Sequence, residues 1–152
     1  MSDTANQARG PFVGRYLPYL LAQAAECTTL PLHRILKQKG IRESEWRVLA
    51  TLFDAPAGMG VSELSRHVLV PQSTLSRRLD RMEERGLVER NARADDRRST
   101  AVTLSARGRE TARALMALAL ERERIDAAGL GRADLETLKG LLARLLSGSN
   151  TT

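Results

Sequence analysis

Apolar residues recur three and four positions apart over most of this chain. The exception is 87–104, where Leu87 and Val88 and then Val102 and Leu104 flank an arginine-rich polar run. That pattern predicts a mainly helical protein with one short hairpin. Residues 1 to about 12 are small and polar and are expected to fray. From Tyr16, the residues Leu17, Leu20, Leu21, Ala24 and Ala25 mark one face of a first helix. It resumes through Leu32, Ile35 and Leu36 and ends at Gly40, after Lys37 and Lys39. Pro18 suits a first turn. Pro31 removes a backbone donor, so a kink or break is expected near Thr29 and Leu30.

Ser44 is the expected N-cap of a second helix over 45–53, with Trp46, Leu49, Leu52 and Phe53 turned inward. The Pro- and Gly-containing run 54–60 reads as a loop or short β-arm. Ser62 is then expected to cap a short helix with Leu64, His67 and Val68 near its inner side. Pro71 and Gln72 open the next helix, and Gly86 stops it. A hairpin begins at Leu87 and Val88 and returns through Val102 and Leu104. Ser105 should cap a long helix over about 106–128, patterned by Leu115, Leu118 and Ile125. Beyond Gly129 and Gly131, a last helix over about 133–146 carries Leu135, Leu138, Leu141, Leu142, Leu145 and Leu146.

Two short helices, a strand, an arginine-rich loop and a second strand, from Val61 to Leu104, are the order of a winged helix-turn-helix. The expected class is therefore mainly α (α+β), a winged helix-turn-helix lobe plus a helical dimerisation region from the N- and C-terminal helices. The corresponding segments are 1–40 for an N-terminal helix, 41–104 for the winged lobe and 105–152 for C-terminal dimerisation helices. The last helix has leucine on more of its circumference than one small lobe covers, which argues for a homodimer.

On a helical wheel of about 100° per residue, Leu79 and Met82 fall within about 40° of Leu75 and form an apolar seam. The other side holds Ser73, Ser76, Arg77, Asp80 and Arg81, with Thr74 at its margin. Arginine forms bidentate bonds to guanine, and serine or threonine reaches bases or phosphates. In the hairpin loop, Arg90, Arg93, Arg97 and Arg98 alternate with Asp95 and Asp96. An arginine at a loop tip suits a narrow minor groove, with Asp96 pairing to and orienting an arginine of the loop. The alternatives are a solvated basic helix face and an ordinary charged hairpin.

Charge agrees with a polyanionic partner. The chain has 152 residues, a formal net charge of +6 and 24 Lys plus Arg against 18 Asp plus Glu. Ser62 to Arg109 alone contributes +4 of that surplus, so the basic charge is concentrated where the motif lies. One cysteine, Cys27, excludes an internal disulfide and a cysteine-cluster zinc site. No run of about eighteen uncharged apolar residues and no signal-peptide core is present, so a cytoplasmic protein without a membrane span is expected. Two histidines, one cysteine and the absence of HExxH, GxSxG or phosphate-loop motifs point away from an enzyme and leave neither metal nor cofactor to be expected.

The segments EWRVLATL, VSELSRHVLVPQSTLSRRLDRMEERGLVER and DDRRSTAVTLSARGRE resemble the MarR family of bacterial transcriptional regulators over roughly Ile41 to Glu110. The resemblance implies a dimer whose first and last two helices interleave, with each winged lobe addressing half of a pseudo-palindromic operator in double-stranded DNA. It places Ser73, Thr74, Ser76 and Arg77 at base- or phosphate-contacting positions, and Arg97 and Arg98 in the wing. Arg93 departs from the family, many members of which have Asp near that position. Arg81 joins the set from the wheel alone.

Every aromatic residue (Phe12, Tyr16, Tyr19, Trp46 and Phe53) precedes residue 54. The family's effectors bind close to the first and second helices, so the resemblance implies a small-molecule effector, with Tyr16, Tyr19, His33, Trp46 and Arg47 as candidates. Arg47 or His33 suits a carboxylate, which favours a small aromatic carboxylate or its thioester. The structural alternatives are Trp46 as core, Arg47 in an ion pair and His33 exposed. One branch of the family senses peroxides through a cysteine on the first helix, but its position corresponds to a place near Pro18, not Cys27. The leading expectation is a ligand-responsive repressor. The alternatives are a winged-helix protein-interaction or architectural DNA-binding module without effector, and a redox-sensing regulator acting through Cys27.

Overall fold

Helix α1 does not break at its proline. In the computed structural model, which describes residues 11–92 and 100–149, α1 runs unbroken over Leu17–Gln38 with Pro31 inside it. Proline deletes one backbone bond, whereas Leu36 on the next turn is buried and Leu32 packs against the core. Continuing the helix is thus favoured over breaking it. The helix ends as expected at Gly40, whose φ of 68° is open to glycine. The Ile41 amide then donates back to the Leu36 carbonyl at 2.9 Å.

A short 3-10 turn, Phe12–Gly14, precedes α1. After it come α2 (Glu43–Phe53), α3 (Val61–Val68), α4 (Gln72–Glu84), β1 (Val88–Ala92), β2 (Thr100–Leu104), α5 (Ala106–Asp126) and α6 (Arg132–Ser149). This is the mainly helical winged helix-turn-helix order.

Two expected caps differ. Ser44 lies inside the first turn of α2, because the Glu45 carboxylate accepts the Arg42 amide at 2.8 Å and starts the helix earlier. Ser62 lies inside α3, and its hydroxyl donates to Gln72 Oε1 at 2.9 Å, joining α3 to the start of α4. Ser105 does cap α5. It accepts the Gly108 amide at 2.9 Å and donates to the Gly86 carbonyl at 2.6 Å.

The turn between α3 and α4 passes through Leu69, a leucine with φ 55° whose side chain is 80% exposed. Ser65 holds it, its hydroxyl donating to the Val70 carbonyl at 2.9 Å. His67, expected near the inner side of α3, is exposed. β1 and β2 pair antiparallel from Val88 opposite Leu104 to Ala92 opposite Thr100. Met59 adds a single bridge to Val102, so the run 54–60 does end in a β-arm.

The chain divides into two compact units. The central unit, 29–119, contains one core built from Leu36, Val48, Leu49, Leu52, Leu64, Leu75, Leu79, Met82, Val102 and Leu115, among others. These residues seat α4 by its apolar seam and leave the rest of its surface outside the core. In the terminal unit, 1–28 and 120–152, α6 has no buried residue among those described, and Leu138, Leu141, Leu145 and Leu146 are exposed. Lys139 of α6 pairs with Glu123 of α5 at 2.7 Å.

Candidate nucleic-acid interface

With Leu75, Leu79 and Met82 fully buried, the surface of α4 sorts into a crest and two flanks. Ser73, Thr74, Arg77 and Arg81 are exposed along the crest. Ser76 is half-buried, and its hydroxyl donates to the Gln72 carbonyl at 3.0 Å within the same helix. A side chain satisfied this way bends back along its own helix and projects less than its neighbours.

One flank is acidic, and Arg90 of β1 neutralises it. The Arg90 guanidinium donates to Asp80 Oδ1 at 2.7 Å and to Glu83 Oε2 at 2.6 Å, and its amide donates to Glu83 Oε1 at 3.2 Å. The hydrogen bond to Asp80, helped by the charge of Glu83 and opposed by partial burial, raises the Arg90 pKa above the ordinary arginine value. Arg90 reads from sequence as one more wing arginine available to DNA. Its place is instead a clamp that holds β1 against α4 and removes two carboxylates from competition with an anion.

The other flank is basic. Arg42, Thr74, Arg77, Arg78 and Arg81 line a concavity of about 170 Å³. Arg78 is half-buried, and its Nη1 has no hydrogen-bond partner among the described residues. The sequence reading missed Arg42 and Arg78. Arg78 falls on the wheel about 60° from Leu75, next to the apolar seam, where a long side chain reads as a flank residue. Arg42 belongs to another element, and only the tertiary structure brings it beside α4. Arg93, Arg97 and Arg98 of the wing, with Asp95 and Asp96, lie outside the described residues.

The candidate effector residues fall in both units. In the central unit, His33 is half-buried with Nε2 3.5 Å from Glu43 Oε2, and exposed Arg47 also pairs with Glu43, one turn away. Trp46 is half-buried and packs against the core. Glu45, on the same helix, is 4% exposed and accepts from Arg85 Nη1 at 3.0 Å. In the terminal unit, Tyr16 and Tyr19 are 47% and 43% exposed, and Tyr16 stacks on Phe12 with ring centroids 4.9 Å apart. Cys27 is exposed. No group of three metal-ligating side chains occurs among the described residues. No described helix is long and apolar enough to cross a membrane.

Residues 41–100 match the model of the MarR family. The chain is similar to the MarR family transcriptional regulator SPO1453 of Silicibacter pomeroyi DSS-3, with 38% identity, a TM-score of 0.79 and 91% and 98% of the two chains covered. The transcriptional regulator PA3341 aligns at 28% identity and a TM-score of 0.82, over 90% of this chain and all of that one. NadR, in a structure with 4-hydroxyphenylacetate, aligns at 29% identity and a TM-score of 0.74, over 82% and 88% of the two chains.

Proposed function

The chain belongs to the MarR family of transcriptional regulators, and we propose that it is a homodimeric repressor that binds a pseudo-palindromic operator and is released by a small aromatic carboxylate. The observation that carries the DNA reading is the crest of α4. There Ser73, Thr74, Arg77 and Arg81 are exposed while the neighbouring carboxylates Asp80 and Glu83 are tied to Arg90. A helix with that crest suits a major groove, where arginine and small hydroxyl side chains meet base edges and phosphates. Arg97 and Arg98 are proposed as wing contacts on the strength of the family pattern.

The exposed leucines of α6 support a second copy of the chain as their cover. An aromatic carboxylate is favoured because NadR holds 4-hydroxyphenylacetate. Within the central unit, Arg47 and His33 are proposed to receive its carboxylate, displacing Glu43 from one or both. Trp46, on the same helix as Arg47, is proposed as an aromatic contact.

The test is footprinting on the DNA flanking the protein's own coding sequence, repeated with 4-hydroxyphenylacetate and related aromatic acids. A discrete protected site with two-fold symmetry, lost on adding one acid, is expected. Uniform coating of the DNA would make the chain an architectural protein, and a site indifferent to every acid would remove the effector reading. Sedimentation equilibrium checks the dimer; a monomer at micromolar concentration would overturn it.

A further inference from the structure

We infer that the concavity between the start of α2 and the basic flank of α4 is the seat of one DNA backbone phosphate, held by Arg42 and Arg78 in addition to the crest of α4. The inference rests on the DNA-binding reading and adds to it two residues and a defined chemical role. Four arginines and one threonine line the concavity, without an acidic residue among them. Like charges gathered this closely repel one another, and an anion among them removes that penalty. Arg78, half-buried on α4, and Arg42, exposed just ahead of α2, border the concavity from two different elements.

The lining also decides what kind of anion fits. Sites for small organic ligands are mostly apolar with a few polar anchors. This one has no apolar side chain to hold a ring or an alkyl body. A phosphodiester presents two charged oxygens at a single centre, a match for donors converging from two elements. Position favours DNA as the source. Thr74, Arg77 and Arg81 belong both to the concavity and to the exposed crest. When the crest lies in a major groove, the phosphates bordering the groove run along the flanks of the helix. The opposite flank offers no free cation among the described residues, because Arg90 is spent on Asp80 and Glu83, and that asymmetry sets the register of α4 across the groove.

The test uses the full-length protein and a labelled 30-base-pair duplex of random sequence. Affinity is read by fluorescence anisotropy between about 50 and 200 mM KCl, where each phosphate contact contributes about −0.9 to the slope of log K against log salt. Arg78→Gln and Arg42→Gln are each expected to bind more weakly and to flatten the slope by about one contact, with the double variant no flatter than either alone because they share one phosphate. Arg78→Lys should keep the wild-type slope. Far-ultraviolet circular dichroism melts confirm that each variant is folded, and having one variant just ahead of α2 and the other on α4 keeps the test valid should one fail to fold.

Wild-type slopes in both glutamine variants would overturn the inference while leaving the DNA reading intact. Absence of duplex binding by the wild type even at the lowest salt would overturn both. Isothermal titration with inorganic phosphate separates the other source. Binding of free phosphate that Arg78→Gln abolishes, together with an unchanged duplex slope, would make the concavity a free-anion site and overturn its assignment to DNA.

Discussion

Arg90 Nη2 stands 2.7 Å from Asp80 Oδ1 and ties the first strand of the wing to the middle of α4. Glu83, bound at 2.6 Å through the other guanidinium nitrogen, makes the arrangement a three-residue network that is only partly exposed on the arginine side. Arg90→Ala is expected to lower stability by only about 1 kcal/mol, as for a partly solvated ion-pair network. Duplex affinity should fall further than that loss accounts for, because two carboxylates are then free beside the groove-facing crest. Pairing it with Asp80→Asn should recover part of the affinity. Urea denaturation and anisotropy on the same samples check this, and unchanged affinity in Arg90→Ala would separate the clamp from DNA binding.

Arg77 occupies the crest and also lines the basic flank. Arg77→Ala is expected to cost about 1–3 kcal/mol on duplexes selected from a random pool by the wild-type protein, with relaxed preference at one base position. Equal losses on selected and unselected DNA would mark it as a phosphate contact instead. Repeating the selection with the variant shows which position loses its preference.

Glu45 is a buried carboxylate with two jobs: it caps α2 through the Arg42 amide at 2.8 Å and accepts from Arg85 Nη1 at 3.0 Å. Arg85 also donates to the Gly40 carbonyl at 3.1 Å, so this pair joins the end of α1, the start of α2 and the end of α4. Glu45→Ala removes a cap and leaves donors without their acceptor, and should cost about 2–3 kcal/mol. Chemical denaturation reads the loss directly; a change below about 0.5 kcal/mol, the range of an ordinary surface substitution, would show that solvent replaces both bonds.

Gly108 lies in the first turn of α5 against the backbone where the hairpin begins. A Cβ built there would stand 1.8 Å from the Leu87 carbonyl oxygen. Alanine is the better helix former by about 1 kcal/mol, so an exposed site would gain from Gly108→Ala. Here the clash with backbone dominates, and a net loss of about 1–3 kcal/mol is expected as α5 is pushed off the hairpin. Thermal unfolding checks the sign, and a raised midpoint would contradict the packing.

Sequence by itself determined what depends on local periodicity and backbone chemistry. Leu75, Leu79 and Met82 recur at helical spacing and therefore share a face whatever covers it. Gly40 and Gly86 end helices because their left-handed φ is open to glycine, and Ser105 caps α5 because a hydroxyl reaches the amide three residues on. The tertiary structure decided whatever depends on partners distant in the chain. Pro31 stays inside a continuous helix because Leu32 and Leu36 are committed to the core. Glu45, which caps α2 in place of Ser44, is held in the interior by Arg85, forty residues on. Arg90 becomes a clamp because β1 packs beside Asp80 and Glu83, and Arg42, ahead of α2, shares a concavity with Arg77, Arg78 and Arg81 of α4. Charge along a chain reports how many cations are available. Only packing decides which are spent on carboxylates and which are left facing an anion.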